Sequence, residues 1–137
     1  MNFNIEAANW DSEKRIERAK IIADEIIKSV PIEGHLRALE FGCGTGLVSF
    51  NLADKFNHIT LIDTSEGMID KLNQKIQDSN TKNMNAFCMD INGGSKLNDK
   101  YDVIYTSMAL HHTQDINLTL ERLYELLNAK DTCVLLN

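Results

Sequence analysis

Proline occurs once in these 137 residues, at Pro31, and no Pro/Gly/Ser-rich stretch, repeat or low-complexity tract divides the chain. Nothing therefore splits it into separate units, and residues 1–137 are expected to form one domain with a real core. No apolar run approaches the roughly 20 residues that cross a bilayer, so no membrane partner is expected. The N-terminal stretch "MNFNIEAANWDSEKR" also lacks the apolar segment of a secretory signal. Cysteine is scarce: Cys43, Cys88 and Cys133 are odd in number, far apart and never in a C-x-x-C pair. That excludes a disulfide framework or a zinc-type spacing and suits reduced thiols and a cytoplasmic location. Positive charge is in deficit as well, with 14 Lys and Arg against 20 Asp and Glu, a net charge of -6. The basic residues are scattered, whereas a nucleic-acid backbone calls for clustered ones. No nucleic-acid partner is expected.

What is present is an alternation of helical and extended patterns. From Ser12 to Val30, Ile16, Ala19, Ala23, Ile26, Ile27 and Val30 recur at helical spacing, with Asp11 or Ser12 as cap and Pro31 as stop. This N-terminal helix or lid (1–31) precedes a core from residue 35 onward. Strands are expected at about 36–41 ("LRALEF"), 58–63 ("HITLID"), 83–88 ("NMNAFC"), 101–106 ("YDVIYT") and 132–137 ("TCVLLN"). Helices are expected from Gly46 to about Phe56, from Ser65 with Met68, Ile69, Leu72 and Ile76 inward, and from Asp115 with Ile116, Leu120, Leu123 and Leu127 inward. Such alternation implies an α/β fold, a Rossmann-like, doubly wound parallel sheet covered on both faces.

Ligands of such sheets bind beyond the carboxyl ends of the strands. The stretch "ALEFGCGTGLVSF" places Gly42, Gly44 and Gly46 there. A dinucleotide fingerprint would be G-x-G-x-x-G, and its third position is occupied by Leu47; the Gly-Lys-Ser/Thr of a P-loop is absent. Glu40 would repel a pyrophosphate but suits a cation. S-adenosylmethionine carries a sulfonium and an ammonium beside an adenosine and has no phosphate. Its carboxylate suits exposed loop N–H groups. Asp63 ends the second strand 21 residues beyond Gly42, where an acidic residue that holds ribose hydroxyls is expected. Asp90 in "FCMDI" can accept from an adenine amino group, the Ile91 backbone can serve the ring nitrogen, and Met68 can wall the base.

The segments "LEFGCGTG", "LIDTSEGMI", "FCMDI" and "YDVIYTSMALHH" together resemble the successive cofactor motifs of class I S-adenosylmethionine-dependent methyltransferases, in the small-molecule branch that includes quinone- and sterol-type enzymes. The resemblance runs from about Trp10 to the end of the chain. It implies that Glu40, Gly42, Gly44 and Gly46 hold the methionine part, Asp63 the ribose, and Asp90 with Ile91 the adenine, with Cys43 and Thr64 also in the cofactor site. Thr106 and Ser107 would lie along the methionine side. It implies methyl transfer to a small-molecule acceptor by direct displacement, leaving S-adenosylhomocysteine. Members of the family usually add an antiparallel pair of strands beside the fifth, so the chain is expected to be truncated there or to have that edge covered by a partner, for instance a second copy.

Plainer readings stand beside these. Asp63 can cap a helix, although Ser65 competes for that role; Asp90 sits in good turn chemistry, "DINGG"; Met68 can be core. His112, and less so His111, can act as a general base toward an acceptor or simply line the pocket. A metal site built from His111, His112 and Asp115 is disfavoured by the adjacency of the histidines. Trp10 with Arg15 can fold over the pocket or merely anchor the first helix. A cofactor-binding subunit without activity and a dinucleotide oxidoreductase are the rival functions.

Overall fold

The computed structural model describes residues 11–30, 34–94, 96–107 and 115–135. Helix α1 (Glu13–Ser29) opens it. The Ser12 hydroxyl accepts from the Arg15 N–H at 3.3 Å, and Glu13 in the first turn and Lys28 in the last suit the helix dipole. There follow β1 (Arg37–Phe41), α2 (Leu47–Phe50), β2 (His58–Asp63), α3 (Glu66–Asp78), β3 (Met84–Cys88), β4 (Tyr101–Thr106), α4 (Ile116–Glu125) and β5 (Leu127–Leu135). None of the helices among the described residues is long and apolar enough to cross a membrane.

The sheet order is β3-β2-β1-β4-β5, and every pairing is parallel. Strand order reverses between β1 and β4, the switch point at which open α/β sheets hold ligands. Alternate side chains of each strand serve opposite faces. Ala38, Ile59, Leu61 and Val103 pack under α1, α2 and α3, against Ala23, Ile26, Val48 and Leu72. Leu39, Ile62 and Ile104 meet Leu123 of α4 and Ile91 of the loop after β3. Phe41 lies opposite Ile62 and Asp63 opposite Cys88, so the carboxyl ends of the first three strands are level.

The fold expected from the pattern is the one observed, with local differences. The helix anticipated from Gly46 to Phe56 closes after Phe50, and residues 51–55 run on as turns. Val48, Leu52 and Phe56 recur every fourth residue and are all buried, so turns reproduce a helical signature there. The last strand begins at Leu127 and not near residue 132. Leu127 pairs with Tyr101 across a register shift, so it belongs to β5 and not to the inner face of α4. Ile116, expected inward, is exposed, as is Ile16 of the helical repeat in α1; Thr119 and Leu123 are the buried positions of α4. Residues 136–137 of the expected fifth strand lie outside the described residues.

Gly46 joins the motif to the packing. Its φ of +81° lies in the left-handed region, and a Cβ there would come within 2.6 Å of Leu72 Cδ1 on α3. Gly46 thus permits the close helix approach that a dinucleotide fold assigns to the following position, here Leu47. Gly46→Ala should cost about 2–4 kcal/mol, the sum of the left-handed backbone penalty and overpacking. Leu72→Ala should cost about 2–5 kcal/mol through its cavity. In urea titrations the double variant should lose less than the sum, because Leu72→Ala relieves the steric part of the first change and leaves the backbone part.

Candidate functional site

Past β1 the chain turns through three left-handed glycines, Gly42, Gly44 and Gly46, with φ of 66°, 56° and 81°. L side chains rarely adopt this conformation, so the residue type follows from the path. The path is held from β2. The Cys43 N–H donates to the Ile62 carbonyl at 3.0 Å, and the Gly44 N–H donates to Asp63 Oδ2 at 2.8 Å. The other oxygen of Asp63 accepts from the Ser65 N–H at 2.9 Å. The cap of α3 is Ser65, whose hydroxyl accepts from the Met68 N–H. Asp63 is therefore the anchor of the glycine loop, and Ser65 takes the capping role.

Glu40 lies one strand over and is 1% exposed. The Ser49 hydroxyl donates to its Oε1 at 2.6 Å and itself lies 2.6 Å from the Tyr105 hydroxyl. With the single Ser49 proton directed to Glu40, Tyr105 donates to Ser49. Glu40 pairs with Tyr105 in the β1–β4 register, so this chain of hydroxyls spans the switch point. Burial raises the Glu40 pKa to about 8, opposed by the Ser49 hydrogen bond and reinforced by the Asp63 charge. The same burial, with Glu40 and Asp63 nearby, pushes the Cys43 thiol well above its ordinary range, so it is no nucleophile. Burial likewise raises Tyr105.

The remaining sequence candidates separate by exposure. Asp90 is exposed; its Oδ1 accepts from the Asn92 N–H and its carbonyl from the Gly93 N–H, which is a turn built by Asp90 itself. Ile91 is buried on the α4 side of the sheet. Met68 is enclosed at 1% exposure. Thr64 is exposed beside Asp63, Thr106 is buried at the end of β4, and Ser107 follows it half-buried. Trp10, His111 and His112 lie outside the described residues. Thr45 and Lys75 escaped the sequence reading, and Asp11 enters it only as an alternative cap, a role that Ser12 fills. The Thr45 hydroxyl donates to Asp11, whose Oδ2 lies 2.9 Å from Lys75 Nζ. A contact spanning 64 residues of sequence leaves no local pattern.

The loop and its two acids fit a cationic nucleoside better than a pyrophosphate: the Asp63 carboxylate would repel phosphate at close range, and a cation, unlike a phosphate, would favour ionisation of Glu40. The raised Glu40 value sets a stability test. Between its ordinary 4.5 and about 8, the native chain holds a proton that the unfolded chain has released. Stability therefore falls as pH rises through that window, by on the order of a few kcal/mol. Urea unfolding should show Glu40→Gln, which keeps the Ser49 bond, gaining on the parent chain as pH rises from 5 to 8. A gap that stays constant with pH would contradict a neutral native Glu40.

Residues 39–130 match the family described as "Methyltransferase domain". Among curated proteins, the malonyl-[acyl-carrier protein] O-methyltransferase of Bacillus anthracis is 29% identical over 126 residues, which cover 89% of this chain and 45% of that one. The chain thus spans about half the length of the curated relatives it matches. Among solved structures, a candidate S-adenosyl-L-methionine-dependent methyltransferase of Methanococcus maripaludis superposes with a TM-score of 0.86 at 23% identity, over 98% of this chain and 64% of that one. A chain in the complex between the Haloferax volcanii Trm112 methyltransferase activator and a candidate methyltransferase gives a TM-score of 0.81 at 20% identity, over 96% and 57%. The chain belongs to the methyltransferase-domain family and has the Rossmann-like fold of S-adenosylmethionine-dependent methyltransferases.

Proposed function

We propose that this chain binds S-adenosylmethionine at the glycine loop and serves methyl transfer to a small-molecule acceptor. The observation that carries the reading is the pairing of a left-handed glycine loop with two carboxyl groups, Glu40 and Asp63, at the switch point of the sheet. Bound there, S-adenosylmethionine supplies a methyl already activated by its sulfonium, which an acceptor O, N, S or C atom takes by displacement, leaving S-adenosylhomocysteine.

The protein's share is mainly alignment and a matched field. The loop N–H groups receive the methionine carboxylate, and Glu40 offsets the ammonium and sulfonium charge. Asp63 keeps lone pairs for the ribose while it holds Gly44 and Ser65, and Asp90 with Ile91 takes the adenine. A base is needed only where the acceptor is protonated at working pH, and His112 is the candidate for that task. The O-methyltransferase named among the relatives makes oxygen acceptors the first to screen.

A second reading keeps the cofactor and drops the activity of this stretch alone. The chain spans about half of its relatives, and one structural neighbour comes from a complex with a methyltransferase activator. A partner or a second copy covering the edge of β5 that no described strand pairs would then complete the acceptor side.

Calorimetric titration of the 137-residue chain decides the cofactor. S-adenosylmethionine and S-adenosylhomocysteine should bind at micromolar Kd, NAD should not, and Asp63→Ala should lose at least about tenfold in affinity. Binding of NAD in their place would refute the proposal. Turnover of acceptor then separates the two readings.

A further inference from the structure

Beyond the Cys43 bond to β2, the glycine loop is set at three further places: Gly44 by Asp63, Gly46 by Leu72, and Thr45 by a pair of side chains outside the motif. We propose that Asp11 and Lys75 are positioning residues for the cofactor, presetting the Thr45 peptide between its two flexible neighbours. This rests on the reading of the glycine loop as the cofactor site.

Lys75 Nζ donates to the Thr45 carbonyl at 2.9 Å and lies 2.9 Å from Asp11 Oδ2, while the Thr45 hydroxyl donates to the other oxygen of Asp11. The ammonium also sits 4.9 Å from the centroid of the Phe50 ring on α2. Thr45 is fully buried, and the side chains of Lys75 and Asp11 are only 25% and 19% exposed. Both polar groups that Thr45 can offer toward α3 and α1, carbonyl and hydroxyl, are thereby committed. Capping does not require Asp11, because Ser12 fills that role.

Glycine on either side leaves the Thr45 peptide more conformations than any other residue pair would. A loop that must be ordered by its ligand charges that cost to affinity, whereas a loop ordered in advance does not. A screened ion pair at the protein surface would do little here, but this pair is three-quarters withdrawn from water and makes two further hydrogen bonds. Breaking it releases the Thr45 peptide between Gly44 and Gly46, which Asp63 and Leu72 still hold, and leaves the ordering of that one peptide to the ligand. Asp11 and Lys75 touch the loop backbone and its side chain, so their action on the cofactor passes through Thr45.

The plain alternative is that the pair only staples α1 to α3. Affinity and stability distinguish the two. S-adenosylhomocysteine is titrated calorimetrically into the full chain, and urea unfolding is followed in parallel. The variants are Asp11→Asn, Lys75→Met, their combination, Lys75→Arg, and Ala23→Gly as a destabilised control inside α1. Asp11→Asn and Lys75→Met should each weaken binding roughly 5- to 30-fold, and the combination no more than the worse single change. Lys75→Arg should retain most of the affinity, and Ala23→Gly should lower the urea midpoint while leaving Kd unchanged. Lower midpoints with Kd within about twofold for both single variants would overturn the positioning role. Gly44→Val tests the underlying reading separately. If it leaves Kd unchanged, the loop is not the site; if it abolishes binding while Asp11→Asn does not weaken it, only the positioning role fails.

Discussion

The carboxylate of Asp63 is the interaction on which the upper end of this sheet depends. One oxygen holds the Gly44 N–H, the other holds the Ser65 N–H, and so the exit of β1 and the entry to α3 are tied to a single side chain at the end of β2. The strands supply the precondition: parallel pairing puts Phe41 beside Ile62, which brings the loop within reach of Asp63. The loop then needs left-handed backbone at three positions, and glycine meets that need at the least steric cost. Replacing the acid would free two backbone donors at once, so the fold and the proposed ribose contact draw on the same residue.

Glu40 shows the opposite balance. A buried carboxyl beside a second acid, with hydroxyl partners, costs stability whenever it ionises. Two hydroxyls, Ser49 directly and Tyr105 through Ser49, are committed to it on a face where apolar side chains would pack at no such cost. A cationic ligand would reverse that balance, since opposite charge favours the ionised form. The arrangement is thus poor as a core and good as a receptor, which is the pattern expected where function overrides local stability.

The strands were legible because a parallel sheet covered on both faces reads as continuous apolar runs, as in "HITLID" and "YDVIYT". The glycines, Glu40 and Asp63 were legible as a set because their spacing reflects one strand-end geometry. Leu127 was not, since Leu120, Leu123 and Leu127 continue a helical rhythm past the true end of α4 at Glu125. Nor was the short α2, where buried residues at every fourth position run through turns. The roles of Gly46, Thr45 and Lys75 depend on partners 26 to 64 residues away, and periodicity carries no information at that range.

Leu72 and Lys75 lie one helical turn apart on α3, and both grip the loop, at Gly46 and at Thr45. The loop is therefore moulded by the rotational setting of a helix that comes after the next strand. One residue inserted inside α3 between Glu66 and Leu72 would turn Leu72 and Lys75 by about 100° about the helix axis and withdraw both contacts together, whereas an insertion beyond Asp78 would leave them alone. Moved into another sheet as a motif of six or seven residues, the glycines would carry their flexibility but not their shape. The transferable unit is the whole run from β1 through Lys75, and it brings with it a demand for an acidic residue at the place of Asp11.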